Sequence, residues 1–461
     1  MSAAESQWPA WLRRRTGVEF LGPPNLFFAR LTIVLSLGAI LLVGAWNAAK
    51  YPISLGYDAQ PNAAYIHVLL DQHHIPRPDQ SGEANQPPAY YFLAGIAARL
   101  GNEFTSWHDT STYPGFPEAS YRGAQIFNVL LVFLTALCVL WIARVVAPNR
   151  PWVWAASVGF FAFLPVVSKT EAMLHPENLN MLAAAGAIAS ATTILIRRKR
   201  DPILIACLTA SIVLGLATRV STVFVVLALV LGFAVALGGT VMRRSQRTRR
   251  VGISIALIAV IGSIGLSYAK VHQHRIDSEA SRTQFFDISL THLFANPWRP
   301  HMVNQAFTTT YADLWGDWFG AFSWSVYSGE PSAAASRVLK DQSVIGVLPT
   351  LLAIAGWLGL VWLTFRRGRR ELAVLALLPF IATIGYLARS WLSLTKDGDL
   401  FKATYLVNTA PVWALCFGLA SGWLATRSRL ARYGMIVLFA VFAILELRFT
   451  LYGVRDNHPI F

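Results

Sequence analysis

Cysteine is scarce: the 461 residues include 3. Cys138, Cys207 and Cys416 all lie in apolar runs without metal-ligand spacing, so they exclude a thiolate metal site and read as core residues. Charge is also scarce. Asp, Glu, Lys and Arg make up 14% of the chain against 55% hydrophobic residues, which excludes a soluble protein of this length and indicates a polytopic membrane protein. Acids are scarcer than bases, 24 against 39, for a net charge of +15. A nucleic-acid surface would gather that excess into one patch. Here it is split into short clusters between apolar runs: Arg13 to Arg15, Arg144 and Arg150, Arg197 to Arg200, Arg243 to Arg250, Arg366 to Arg370, and Arg427 to Arg432. Only Glu5, Glu19, Asp201 and Glu371 share that side. The asymmetry is the positive-inside signal and points to cytoplasm and anionic membrane lipid, with no nucleic-acid partner. There is no low-complexity tract, obvious inverted repeat or soluble terminal domain. The first apolar run lacks a small-residue cleavage site and reads as a retained helix, with Trp8 and Trp11 before it as interfacial aromatics.

What is present is a series of apolar runs. Length and flanking charge predict an all-α polytopic membrane protein of about 11 transmembrane helices, in one domain over 1–461. The expected spans are 30–49, 121–146, 152–169, 178–196, 202–217, 221–240, 251–270, 342–364, 371–388, 403–425 and 432–450. Every arginine cluster then falls inside, with the N-terminus inside and the C-terminus outside. Two outer loops are long, about 50–120 and 271–341, and loops of such length are usually functional.

The first outer loop holds the stretch from Leu55 to Tyr91. Asp58 stands at the mouth of the first span. It is either a water-facing turn residue or a general base, the group that takes a hydroxyl proton as a new bond forms. Tyr65, Ile66, Val68, Leu69 and Leu70 give an apolar face for a helix lying along the interface. Tyr57 and Tyr65 are candidates for a sugar platform. Gln86-Pro87-Pro88-Ala89-Tyr90-Tyr91 returns the chain to the bilayer, and Tyr90 and Tyr91 read equally well as interfacial aromatics. His67, His73 and His74 lack a ligand pattern, so a divalent metal is not favoured.

A second outer turn, Ser168 to Asn178, brings Glu171, His175 and Glu177 to the surface. Glu177 either opens the next helix, where the helix dipole favours an acid, or it or Glu171 joins Asp58 to orient the acceptor or a metal. The short spans after it meet at Ala217-Thr218-Arg219-Val220-Ser221. Arg219 is placed to grip a lipid phosphate with its guanidinium fork, or to snorkel to headgroups. In the last outer segments, Tyr311 to Gly320 interleaves Asp313 and Trp315 with other acids and aromatics. That pattern suits carbohydrate and suits a packed subdomain equally. Lys402 lies where it can approach a headgroup.

These segments, in this order, resemble the C-type superfamily of membrane glycosyltransferases, in the bacterial branch similar to protein O-mannosyltransferases and lipid A aminoarabinose transferases. The matches are Asp58 for the first-loop acid, Gln86 to Tyr91 for a His-Pro-Pro-Leu-Tyr-Tyr-like segment, Gly215 to Arg219 for a Gly-Leu-x-x-Lys/Arg junction, and Asp313 to Gly320. Lys402 to Leu406 is similar to a Gly-Arg-Tyr-Leu-Leu-Pro segment. Ala59, Gln86 and Thr404 depart from the pattern, where a second acid, a His and an Arg are usual. The resemblance implies an inverting transferase that takes sugar from a polyprenyl-phosphate donor at the outer face of a bacterial inner membrane. The acceptor would be a glycan, lipid or protein hydroxyl. Asp58 would be the base, with Arg219 and Lys402 on the phosphate. Glu171, His175 and Glu177 would lie near the acceptor, and Tyr57, Tyr65, Gln86, Tyr90, Asp313 and Trp315 near the sugar. No cofactor is expected. The competing expectation is a transporter or flippase for a lipid-linked sugar.

Overall fold

The structure is a computed structural model that describes residues 26–51, 56–104, 121–198, 201–241, 284–295, 297, 305–316, 333–392 and 401–455. The expected span 251–270, the basic cluster at 243–250 and much of the second outer loop lie outside the described residues.

In chain order the helices are α1 Leu26–Lys50, α2 Ala59–Asp71, α3 Ala89–Phe104, α4 Arg122–Val146, α5 Pro151–Ala162, α6 Pro165–Ala172, α7 Glu177–Arg197, α8 Pro202–Leu216 and α9 Thr222–Val241. They continue with α10 Leu290–Phe294, α11 Ala306–Trp315, α12 Ala333–Ile345, α13 Val347–Phe365, α14 Ala373–Leu392, α15 Ala410–Ala425 and α16 Arg429–Arg455. Short 3₁₀ turns at Arg370–Leu372 and Ala403–Thr409 lead into α14 and α15. No strand is found among the described residues. Among the described residues, six helical segments are long and apolar enough to cross a membrane, or seven if the bent pair α5–α6 is one span; α8, α9 and part of α16 are shorter apolar helices. The chain is therefore a helical integral membrane protein, and the expected number of 11 spans is not established.

The expected span 152–169 needs correction. It breaks at Phe163 and Leu164, and α6 departs from α5 by 50°. Leu164 is extended because it precedes Pro165, whose ring disfavours helical geometry one residue back. The expected span 403–425 is found as a candidate span with the same bounds; it opens as a 3₁₀ turn, and α-helix starts at Ala410. The first outer loop contains a second helix, α3, beside the expected α2.

At the centre, α4 packs on α7, α5 on α15, and α13 on α15. Small residues allow the closest approaches. A Cβ added to Gly356 of α13 would lie 1.9 Å from the Cys416 carbonyl oxygen of α15, so only hydrogen fits there. With no water in the bilayer core, such close packing takes the place of hydrophobic collapse as the force that associates helices. Outward positions remain apolar and exposed, among them Leu42 of α1, Ile203 of α8 and Leu430 of α16, as lipid contact requires. Arg144, Arg197, Arg366 to Arg370 and Arg427 to Arg432 lie at one set of helix ends. The starts of α4, α7 and α9 and the 3₁₀ turn before α15 form the opposite end, where the charged side chains described next are buried.

Candidate active site

Four segments distant in sequence meet at that opposite end. Asp58 is the N-cap residue of α2, in a left-handed backbone conformation (φ 52°) that Asp tolerates better than most side chains. Its carboxylate faces the Lys402 ammonium at 3.3 Å, just before the 3₁₀ turn that leads into α15. This corrects the water-facing turn reading: the Asp58 side chain is 17% exposed, its partner Lys402 1%. Arg219, at the α8–α9 junction, donates from Nε to Glu177 at 2.9 Å and from Nη1 to Glu83 at 3.3 Å. Snorkelling is thereby excluded, since Arg219 is buried between two acids. Glu177 does open α7, and its other oxygen accepts from Asn180 at 2.6 Å. Thr222 donates to Asn180 in turn, so α7 and α9 are joined behind the arginine.

Buried amides hold these segments. Asn62 of α2 donates to the Leu174 carbonyl at 2.7 Å, while Asn128 and Gln125 of α4 donate to the Met173 and Ala172 carbonyls. The α6–α7 turn is thus pinned from two sides. The first loop is tied to the arginine junction by the Ala89 N–H, which donates to the Ala217 carbonyl at 3.0 Å.

The aromatics expected to cradle sugar lie elsewhere. Tyr65, Tyr90 and Trp315 are buried in the protein. Tyr65 stacks on Tyr91 with centroids 3.9 Å apart and donates to the Gln86 carbonyl. Tyr90 donates to Asn128, and Trp315 donates to Thr350 amid the Phe160 and Phe442 rings. These rings are packing surfaces whose polar tips are satisfied, in place of the expected open platform. Tyr57 is buried and donates to Asp313 at 2.5 Å, and Lys169 pairs with the same carboxylate at 2.5 Å. Asp313 is therefore turned inward rather than offered to a hydroxyl. Glu171 is buried against Gly44 of α1, with one carboxyl oxygen lacking a hydrogen-bond partner.

Sequence reasoning missed Glu83, Asn180 and Lys169 as members of these pairs. Glu83 lies three residues before Gln86-Pro87-Pro88, within the stretch singled out, but no local pattern marks it as the partner of Arg219. Tyr405, two residues past Thr404, carries Arg219 and Arg389 over its ring at 5.8 and 5.2 Å. Beside it, a small pocket is lined by Ser221, Phe224, Tyr386, Arg389, Tyr405 and Asn408.

The two partly open carboxylates differ in charge preference. Burial alone would push Asp58 up, but Lys402, followed by His175 and Arg219, outweighs it and holds the carboxyl below its ordinary value. Glu83 is pushed up by burial, which Arg219 only partly offsets. His175 is driven down to about 3 by burial and then by Arg219, so its imidazole is neutral near pH 7. Its Nδ1 accepts from the Glu177 N–H at 3.3 Å, which leaves the ring proton on Nε2. Among the described residues, no group of three His, Cys, Asp or Glu side chains lies close enough to hold a metal ion.

No family model matches the chain, and no curated protein matches it. Among solved structures it is similar to the crystal structure of ArnT from Cupriavidus metallidurans bound to undecaprenyl phosphate, at 14% identity and a TM-score of 0.45, covering 95% of this chain and 78% of that one. It is also similar to ArnT from Cupriavidus metallidurans in the apo state, at 14% identity and a TM-score of 0.43, covering 93% and 77%. At that degree of superposition the likeness carries no argument about chemistry.

Proposed function

We propose that this chain is an inverting membrane glycosyltransferase. It would move a sugar from a polyprenyl-phosphate donor to a hydroxyl of a glycan, lipid or protein at the outer face of a bacterial inner membrane. The observation that carries the reading is the pairing of partly open carboxylates with buried cations at one helix end: Asp58 on Lys402, and Glu83 on Arg219. Charge buried at a membrane boundary is costly and usually functional. The sequence resemblance and the side opposite the arginine clusters support the same reading.

In this reaction the acceptor oxygen forms a bond to the anomeric carbon while the bond from that carbon to the phosphate oxygen breaks. The electron pair leaves on the phosphate, and the acceptor proton passes to Asp58. Arg219 and Lys402 meet the charge that grows on the leaving group. Both cations already hold carboxylates, so a phosphate must displace them. The longer Arg219 contact, to Glu83 at 3.3 Å, is the one that yields first. As Lys402 turns to the phosphate, Asp58 loses its counter-charge and becomes a stronger base. Each acid near the reacting groups is thereby assigned to a cation rather than to a metal, and we propose no divalent metal requirement. Chelator should leave turnover unchanged; activity that vanishes with chelator and returns with one added cation would overturn this.

The test is purified protein in vesicles with a labelled polyprenyl-phosphate sugar and a hydroxyl acceptor. Glycoside of inverted configuration is expected. Movement of the intact donor between leaflets without transfer would instead select the transporter reading, which one observation favours: transporters use broken helices with buried charge, and the bent pair α5–α6 buries Lys169 and Glu171.

A further inference from the structure

We infer that Asp313 is a positioning residue that sets the geometry of the Asp58–Lys402 pair by gripping the chain neighbour of each. The inference deepens the transferase reading and depends on it only for its kinetic readout.

Asp313 lies in the last turn of α11, in the second outer loop, and its side chain is 3% exposed. One carboxyl oxygen accepts from the Tyr57 hydroxyl and from the Lys169 ammonium, each at 2.5 Å. The other accepts from the Ala403 N–H at 2.5 Å. Tyr57 immediately precedes Asp58, and Ala403 immediately follows Lys402. A single carboxylate therefore holds the residue before the acid and the residue after the base. Lys169 adds a second hold, donating to the Asp313 backbone carbonyl at 3.1 Å. The Lys169 and Lys402 ammonium groups lie 5.0 and 5.2 Å from the centre of the Tyr57 ring, which separates the clasp from the pair. The neighbours that Asp313 joins are remote in sequence, so nothing local aligns them.

Asparagine cannot copy this arrangement. If its oxygen keeps Tyr57, its NH₂ faces the Ala403 N–H, donor against donor. Removing Asp313 alone would leave Lys169 as a lone buried charge, so Asp313→Asn is combined with Lys169→Met to keep the protein folded. Tyr57→Phe is the milder probe, because it leaves the ion pair in place. Misplacement by about 1 Å costs about 10²-fold in rate, so the double variant should lose about 10²-fold in kcat and Tyr57→Phe about 10-fold, with donor KM nearly constant in both. An electron cryomicroscopy structure of the folded double variant should show the Asp58–Lys402 contact lengthened past the 4.0 Å limit of an ion pair. A purely structural ion pair predicts parental kcat in the folded double variant and an unchanged contact. Either result, or parental kcat in Tyr57→Phe, overturns the inference. Should the parent protein transfer no sugar, the transferase reading fails and the measured contact alone decides the clasp.

Discussion

Two acid–lysine pairs lie side by side, and they are built differently. Lys169–Asp313 is short and dry: 2.5 Å, with side chains 1% and 3% exposed and every Asp313 oxygen engaged. Lys402–Asp58 is longer, 3.3 Å, and the acid is 17% exposed. A dry pair is locked, since separating it strands a charge in a medium that cannot solvate it. A pair open on its acid side can exchange partners. The contrast separates a carboxylate that holds the framework from one that is free to take a proton.

The largest effect expected is on Asp58. Asp58→Asn keeps the shape and tolerates the left-handed backbone at φ 52°. It removes the proton acceptor, so turnover should fall by about 10²–10⁴ while expression stays parental; thermal stability should fall as well, because Lys402, 1% exposed, loses its counter-charge. Near-normal turnover in the purified variant would remove the catalytic half of the contrast.

Stability tests the other half. Lys169→Met should destabilise by about 3–5 kcal/mol, because it strands the buried Asp313 charge. Lys402→Met should cost only about 1–2 kcal/mol, because water reaches Asp58. Unfolding in detergent, ranked at one scan rate, checks the order. Equal losses would mean that exposure does not distinguish the pairs.

Arg219 comes next, and it adds a third arrangement: one cation between a dry acid, Glu177, and a partly open one, Glu83. Arg219→Ala should lower turnover by about 10²–10³, as removal of a charge-stabilising donor does. Arg219→Lys should restore only part, since an ammonium cannot span both acids as a rigid fork. Donor binding measured beside turnover separates loss of the phosphate contact from loss of the fold. Full rescue by Lys, with donor affinity unchanged, would leave Arg219 with no more than a charge-balancing role.

The sequence made some of this legible and hid the rest for physical reasons. Asp58, Glu177, Arg219 and Lys402 stood out because a charge beside a long apolar run is rare and expensive. Pro165 also marks the break after α5, although the apolar run continues unbroken across it. Partners were not readable: Tyr57 and Asp313 are 256 residues apart, Lys402 and Asp58 344, and no periodicity links such positions. Nor does composition tell a solvent-facing ring from a protein-facing one in a loop at the membrane surface, so Tyr65, Tyr90 and Trp315 read as open in the sequence and are packed in the structure.

The smallest effect expected is a displaced pH profile, and it probes the open pair alone. The Asp58 carboxyl is held below its ordinary value because Lys402 outweighs the burial that would raise it. A depressed folded-state pKa means that the ionised form contributes its stability above the unfolded value of about 3.9, and that this is lost as pH falls through the folded value. The acid limb of kcat/KM should therefore lie below the normal aspartate range, with the base fully ionised from about pH 5 upward. Removing Lys402 reverses the balance: burial then dominates, and the limb should move upward in Lys402→Met. The position of the limb is the readout, since its height also falls when a phosphate-binding cation is lost. His175→Gln supplies the control. The imidazole is neutral above about 3, so its replacement should move the limb less than Lys402→Met does. A limb near 6.5 that disappears in His175→Gln would assign the titration to the histidine, and the proton acceptor would no longer be the open carboxylate of this pair.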